Sequence, residues 1–230
     1  MSEKHWFPLE SNPEVMNNYV QKLGLNVDNF AFTDVYGLDE ELLAMVPQPV
    51  LAVLMLYPIT KENEAESHKD QEDQEKSGQK LPEELYFVKQ TIGNACGTIA
   101  LLHSIANNQN NLKLNDGFWK DYLNTTKNEL PENRAKLLEK DDRIEVAHEE
   151  SANDGQTNKE EHVDTDLHFI AFVEKNGTLY EMDGRKKFPL SRGTTSSSTL
   201  LYDTAKLVRS KYMNLNPEQM NFTLVALSAV

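Results

Sequence analysis

The sequence predicts an α+β fold with a mostly antiparallel central sheet flanked by helices. Segments with helical and with strand-like patterns are mixed along the chain rather than strictly alternating, which argues against a parallel doubly wound sheet. The run Val50 to Tyr57 is continuously apolar between two prolines, as in a strand buried on both faces. Leu167 to Glu174 and Thr178 to Asp183 flank Asn176-Gly177, and Asn-Gly is the strongest short signal for an antiparallel hairpin.

The helices are predicted from their apolar spacing and their end signals. Ser11 to Gly24 has Ser11 or Asn12 as a cap, a proline in its first turn and a glycine at its end. Asn94 to Ala106 carries apolar residues on nearly every face, which indicates a central, buried helix with Asn94 as its cap. Further helices are expected at Gly37–Met45, Phe118–Leu123, Pro131–Lys140 and Ser198–Met213, and a closing strand at Phe222–Ser228.

Two polar stretches interrupt these elements. Residues 61–80 hold seven acidic residues and four lysines with no apolar periodicity, so they are predicted to form an acidic surface loop. The stretch from His148 to His162 is almost as polar and is predicted to be a second loop. The whole chain, 1–230, is expected to form a single domain.

Composition excludes several classes of function. The formal net charge of −14 argues against nucleic acid as a partner, because phosphate binding needs a basic surface. No apolar run is long enough to span a bilayer, and the start of the chain does not resemble a signal peptide. The single cysteine permits no internal disulfide, which suits a reducing compartment. We therefore expect a monomer that does not bind membranes and is located in the cytoplasm, with the nucleus as a second compartment.

The lone cysteine, Cys96, falls at the start of the predicted buried helix and is followed by a glycine. The positive end of a helix dipole favours a thiolate, and thiols at such positions are the reactive ones. A buried structural cysteine fits the same position equally well. Position alone therefore leaves both interpretations open.

The chain has six histidines that could serve as the partner of this cysteine. His103 lies seven residues further along the same helix, about 10.5 Å away and out of reach. His168 differs from the others because it lies inside a predicted strand, although a core histidine is the common interpretation there. If Asn176-Gly177 is a two-residue turn, Asp183 comes diagonally opposite His168 on the same face, about 7–8 Å away at the backbone. Asp183 can then orient the imidazole, as in an activated nucleophile, or can simply be a turn residue.

The residues alone give weaker evidence for an oxyanion donor and for a metal site. Gln90 lies six residues before Cys96, where a side-chain amide can stabilise an oxyanion together with the backbone N–H of Cys96. Most glutamines, however, simply lie on the surface. A zinc site is disfavoured because one cysteine and scattered histidines lack ligand spacing, and no other cofactor motif occurs.

Four segments together resemble the ubiquitin carboxyl-terminal hydrolases, over essentially the whole chain and most closely the short, single-domain members. Gln90 to Thr98 (QTIGNACGT) resembles the cysteine motif, and Asp166 to Ile170 (DLHFI) the histidine motif. Leu179 to Arg185 (LYEMDGR) resembles the aspartate motif, and Pro8 to Glu14 (PLESNPE) matches near the start. The resemblance implies a papain-like core threaded into a knot, with residues 148–164 as an active-site crossover loop that excludes bulky folded leaving groups.

By this resemblance Cys96 is the nucleophile, His168 the general base and acid, Asp183 its orienting carboxylate and Gln90 the oxyanion donor. The implied reaction is thiol-dependent hydrolysis after the C-terminal glycine of ubiquitin, without a cofactor. The ubiquitin contacts that it implies are Pro8, Leu9, Glu10, Asn12 and Phe222. The acidic chain complements the basic tail of ubiquitin. A ubiquitin-binding protein without turnover and a hydrolase of a ubiquitin-like modifier remain alternatives, while a Cys-His-Asp acyltransferase lacks an acceptor motif.

Overall fold

The computed structural model of the protein describes residues 4–154, 166–215 and 217–230. Within these residues a six-stranded sheet forms the centre of the fold, and every neighbouring pair of strands is antiparallel. The strands are β1 (Phe30–Val35), β2 (Val50–Pro58), β3 (Leu167–Lys175), β4 (Thr178–Met182), β5 (Leu190–Thr194) and β6 (Thr223–Ala229), arranged in the order β1-β6-β2-β3-β4-β5. The α+β class with a mostly antiparallel sheet is confirmed.

The helices cover both faces of this sheet. Those of the described chain are α1 (Pro13–Lys22), α2 (Glu40–Leu43), α3 (Lys61–Ser77), α4 (Cys96–Ala106), α5 (Phe118–Thr126), α6 (Pro131–Leu138), α7 (Asp142–Asp154) and α8 (Leu200–Val208). Helix α4 packs with Phe169 and Ala171 of β3 in one apolar core, and α8 packs with Ile170 and Phe172 in the other. None of the described helices is long and apolar enough to cross a membrane.

Strand β2 has the buried position that its apolar run predicts. It lies between β6 and β3, and its side chains alternate between the two cores: Ala52 and Leu54 enter one, Val53 and Met55 the other. Apolar residues are needed on both sides of such a strand, which is why its sequence shows no polar alternation.

The hairpin of β3 and β4 has the predicted register. Lys175 pairs with Thr178, and Ala171 pairs with Met182. Asn176 adopts a left-handed conformation (φ 51°), followed by Gly177 (φ 77°), as a turn of this type requires. Asp183 thus follows β4 directly and falls near the start of β3.

The predicted acidic loop at 61–80 is wrong, because residues 61–77 form helix α3. The helix begins after Thr60, whose hydroxyl accepts a hydrogen bond from the Asn63 amide at 3.2 Å, and ends at Gly78 in a left-handed conformation (φ 66°). The two capping residues are local sequence signals that favour a helix. The absence of an apolar stripe between them favours a loop instead.

Helix α3 docks through polar groups, which explains why it has no apolar stripe. Gln74 donates to the carbonyl of Ser191 and accepts from its amide, both at 2.9 Å, so it satisfies backbone groups of β5. Gln71 accepts from the amide of Lys187 at 3.0 Å, and Asp70 forms an ion pair with the buried Arg192. Hydrogen bonds to a sheet edge leave no periodic hydrophobic signal.

The predicted loop at 148–164 is wrong in its first part. Residues 148–154 form the last turns of α7, in which His148 and Ser151 are buried. Residues 155–164 lie outside the described residues, so the prediction for that part stays a prediction. Several boundaries also differ. The helix expected at Gly37–Met45 is the short α2, and α5 continues to Thr126. The helix expected at Ser198–Met213 divides into α8 and a π-helical turn (Arg209–Met213).

Candidate active site

Cys96 is the first residue of α4, as predicted, but the way the helix begins differs from the prediction. Asn94 does not cap it: this residue has a left-handed backbone (φ 59°), and Ala95 takes the cap position without a side-chain hydrogen bond. The first amides of α4 are therefore not occupied by a capping side chain. Unoccupied amides and the helix dipole favour negative charge at this end, where the Cys96 thiol lies.

The structure brings Cys96, His168 and Asp183 together in one row. His168 comes from the start of β3, and its Nε2 lies 2.8 Å from Oδ1 of Asp183, with both side chains 4% exposed. The Cys96 thiol lies beside His168, and each of the two groups shifts the pKa of the other. Because Nε2 faces the carboxylate, Nδ1 is the ring nitrogen left for the thiol. This is the order of nucleophile, base and orienting carboxylate.

The electrostatics of this row favour a thiolate beside an imidazolium. Burial by itself would raise the pKa of the Cys96 thiol, but the hydrogen bond and charge of His168 bring it below its ordinary value. Burial would lower the pKa of His168, whereas the charge of Asp183, its hydrogen bond and the thiolate raise it to about 9. Asp183 is kept ionised, since His168 outweighs its burial and lowers its pKa.

Two further contacts hold the pair in place. The backbone amide of Arg185 donates to Oδ1 of Asp183 at 2.9 Å, which fixes the carboxylate just after β4. The ring of Tyr57, on the neighbouring strand β2, packs edge-on against His168 with 6.0 Å between ring centres. Sequence reasoning missed Tyr57; the signal that could have found it is the aromatic residue at the end of an otherwise aliphatic strand.

Gln90 lies next to this row. Its backbone amide donates to the carbonyl of Gly184 at 2.9 Å, so it neighbours the segment that follows Asp183. Its side-chain Nε2 donates to the Ile92 carbonyl at 3.3 Å, and Oε1 is buried without a hydrogen-bond partner among the described residues. The structure thus places Gln90 near the triad, and its role as oxyanion donor stays a prediction.

A small apolar pocket of about 60 Å³ opens beside Cys96. It is lined by Pro8, Leu9, Leu56, Asn94, Cys96, Leu167 and Phe169. Two of the five predicted ubiquitin contacts, Pro8 and Leu9, are therefore adjacent to the thiol. Leu9 also packs closely on Gly97, where an added Cβ would come within 2.9 Å of the leucine Cβ.

The other predicted contacts lie elsewhere. Asn12 caps α1 by accepting from the Glu14 amide at 2.9 Å, and Glu10 is half-buried in the segment before it. Phe222 lines a separate groove of about 560 Å³, together with Met220. The structure thus divides the five residues between the pocket, the start of α1 and a second groove.

His103, which its spacing from Cys96 excludes as the partner of the thiol, forms its hydrogen bonds elsewhere. His103 is fully buried in α4, with its Nε2 3.1 Å from the amide and 3.2 Å from the carbonyl of Val88. Burial lowers its pKa to about 4. His103 is therefore a neutral core residue.

Comparison with known proteins agrees with this geometry. The sequence profile described as ubiquitin carboxyl-terminal hydrolase, family 1, matches residues 6–214. The chain belongs to this family. It is thus a member of a family of cysteine-type hydrolases, and the family resemblance of its four motifs is confirmed.

Relatives from several organisms match this family member over nearly its full length. Ubiquitin carboxyl-terminal hydrolase 3 of Arabidopsis thaliana is 50% identical over 99% of this chain and 95% of its own. The probable ubiquitin carboxyl-terminal hydrolase of Dictyostelium discoideum is 45% identical over 98% of this chain and 89% of its own. The Drosophila melanogaster ubiquitin carboxyl-terminal hydrolase is 42% identical over 97% of each chain.

A solved structure shares the fold of this hydrolase. The catalytic domain of Trichinella spiralis UCH37, bound to ubiquitin vinyl methyl ester, superposes with a TM-score of 0.76. The match covers 100% of this chain and 98% of that one at 20% sequence identity. The knot implied by the family resemblance stays a prediction.

Proposed function

We propose that this hydrolase cleaves ester, thioester, amide and peptide bonds after the C-terminal glycine of ubiquitin, with Cys96 as the nucleophile. The observation that carries the proposal is that Cys96 lies in a row with the buried His168 and Asp183 in a chain of this family. A UCH37 structure with bound ubiquitin vinyl methyl ester has the same fold, which supports ubiquitin as the partner.

The arrangement supports a two-step reaction. The Cys96 thiolate attacks the glycine carbonyl carbon, a C–S bond forms, and the carbonyl oxygen becomes an oxyanion near the backbone N–H of Cys96 and the Gln90 amide. His168 gives its Nδ1 proton to the leaving amine as the C–N bond breaks. Water then attacks the acyl-enzyme and loses one proton to His168, and the C–S bond breaks, which restores the thiolate and the imidazolium. Ubiquitin leaves with a terminal carboxyl group, which loses the second proton of that water to solvent.

The pocket beside Cys96 fits a glycine terminus. Its walls are apolar apart from Asn94 and the thiol itself. A small pocket of this kind favours a chain without side chains over bulky residues at the cleaved position.

The surface groove that contains Phe222 supports a second contact with ubiquitin. It combines the exposed Met220 and Tyr36 with the positive charge of Arg209. The net charge of −14 complements the basic tail of ubiquitin and should speed association. The predicted monomeric state and cytoplasmic location stay predictions.

The proposal is tested with ubiquitin–aminomethylcoumarin and with ubiquitin vinyl methyl ester. We expect the wild type to hydrolyse the first and to form a covalent adduct with the second at Cys96. Cys96→Ala should lose both activities and keep its affinity for free ubiquitin, because it removes only the attacking sulfur. Hydrolysis that survives in Cys96→Ala would contradict the mechanism.

The two alternatives have distinct outcomes in the same assays. A ubiquitin-binding protein without turnover would bind ubiquitin and leave the coumarin substrate intact. A hydrolase of a ubiquitin-like modifier would form its adduct faster with that modifier's vinyl methyl ester than with ubiquitin's.

A further inference from the structure

A buried network of hydrogen bonds connects helix α4, which begins at Cys96, to the wall of the active-site pocket. The hydroxyl of Tyr19 on α1 lies 3.0 Å from that of Thr98 on α4, which lies 2.8 Å from Nδ1 of His148 on α7. Nε2 of His148 lies 2.6 Å from the carbonyl oxygen of Phe7. Four separate parts of the chain therefore meet at His148 and Thr98.

The direction of each hydrogen bond follows from the chemistry of its partners. The Phe7 carbonyl can only accept, so Nε2 of His148 carries a proton and donates it. Burial lowers the pKa of His148 to about 4, so the ring is neutral and Nδ1 accepts from Thr98. The Thr98 hydroxyl, having donated, accepts from Tyr19.

Two residues of this hydrogen-bond network neighbour active-site residues in the sequence. Thr98 is the second residue after Cys96 in α4. Phe7 directly precedes Pro8 and Leu9, which line the pocket beside the thiol. The pocket wall and the nucleophile are thus held through one imidazole.

The N-terminal segment is anchored in two ways in this region. Its backbone pairs with the loop before Cys96, where the Trp6 amide donates to the Gly93 carbonyl at 2.9 Å and the Gly93 amide to the Lys4 carbonyl at 3.0 Å. These bonds fix the segment before Phe7. The indole of Trp6 also packs against His148, with 4.4 Å between ring centres and an angle of 36° between the ring planes.

We propose that His148 is a positioning residue for ubiquitin binding, which acts with Thr98 to hold the Phe7–Leu9 segment at a fixed distance from Cys96. It does not touch the reacting atoms, and its effect is on the width of the pocket that receives the glycine terminus. The inference rests on the proposed function, since the ligand of that pocket is the ubiquitin tail.

The test separates substrate binding from thiol chemistry. Thr98→Val removes the hydroxyl at constant shape, and His148→Phe removes both ring nitrogens. His148→Gln keeps one acceptor and one donor at the end of a flexible chain. Ser104→Ala is the matched control, because it removes a buried hydroxyl from the same helix that bonds to Ala100, one turn away.

We expect Thr98→Val and His148→Phe to raise KM for ubiquitin–aminomethylcoumarin about tenfold, with kcat changed by less than about threefold. His148→Gln should recover most of this loss, and Ser104→Ala should match the wild type. Alkylation of Cys96 by chloroacetamide, which is too small to need the pocket wall, should proceed at the wild-type rate in every variant.

Three results would overturn the inference or its basis. A KM equal to that of the wild type in folded Thr98→Val and His148→Phe would refute it. A parallel fall in alkylation would also refute it, because the residues would then act on the thiol itself. A wild type that is alkylated but does not hydrolyse ubiquitin–aminomethylcoumarin would instead refute the proposed function on which it rests.

Discussion

Replacing Asp183 with asparagine tests whether the carboxylate creates the reactive thiolate. The asparagine side chain would keep the size of the aspartate and an oxygen that can accept from the Arg185 amide, now 2.9 Å from Oδ1. It would remove the negative charge that lies 2.8 Å from Nε2 of His168. The perturbation is therefore electrostatic rather than steric.

The size of the effect follows from the burial of this pair. Both side chains are 4% exposed, so solvent screens the interaction weakly. A hydrogen bond to a charged group contributes about 1.5–3 kcal/mol, and each 1.36 kcal/mol is a factor of about ten in a protonation equilibrium. The equilibrium constant for proton transfer from the Cys96 thiol to His168 should therefore fall about 10- to 150-fold in Asp183→Asn.

The assay is the rate of Cys96 alkylation by iodoacetamide as a function of pH. The thiolate is the reacting species, so the Asp183→Asn profile should shift to higher pH, with a lower rate at pH 7. Glu181→Gln is the matched control: Glu181 is also a buried carboxylate of this hairpin, but it pairs with Arg192 at 2.7 Å. Superimposable profiles for Asp183→Asn and the wild type would refute the electrostatic account.

Three further predictions concern the surrounding structure. Gly97→Ala should lower the free energy of unfolding by about 1–3 kcal/mol and raise KM, because the methyl group of the alanine would crowd Leu9. A variant with the urea unfolding curve and KM of the wild type would contradict this. The pKa of His103 is about 4 in the folded protein and has its ordinary value in the unfolded chain. As pH falls from 6.5 towards 4, His103 is therefore protonated in the unfolded chain but not in the folded protein, which stabilises the unfolded chain. The stability difference between wild type and His103→Gln should therefore narrow over that range, and a constant difference would count against a neutral His103. Thr60→Ala should cost about 1 kcal/mol of unfolding free energy through loss of the α3 cap, whereas no change in chemical denaturation would show that the cap contributes nothing.

The elements that the sequence predicts correctly are those with a short-range signal. The hairpin register follows from the Asn-Gly turn, because the turn type fixes which residues face each other and so brings Asp183 near His168. The position of β2 follows from its continuous apolar run. Cys96 falls in the first turn of a buried helix, as the apolar residues after it indicate.

The errors occur where stability comes from polar contacts over long sequence distances. Helix α3 is held by side chains such as Gln74, which bonds to Ser191 of β5. The end of α7 is polar and therefore predicts a loop, yet His148 within it is buried against Phe7 and Thr98. Hydrogen-bond partners that are far apart in sequence leave no periodic pattern by which they can be recognised.

The sequence by itself determined the class of fold and the family, and it predicted the triad, because each depends on local patterns or on short sequence motifs. Only the tertiary structure decided that the thiol of α4 meets the imidazole of β3, and that α1, α4, α7 and the N-terminal segment are joined through His148. Packing of separate helices onto one sheet sets these distances, and no local propensity specifies them.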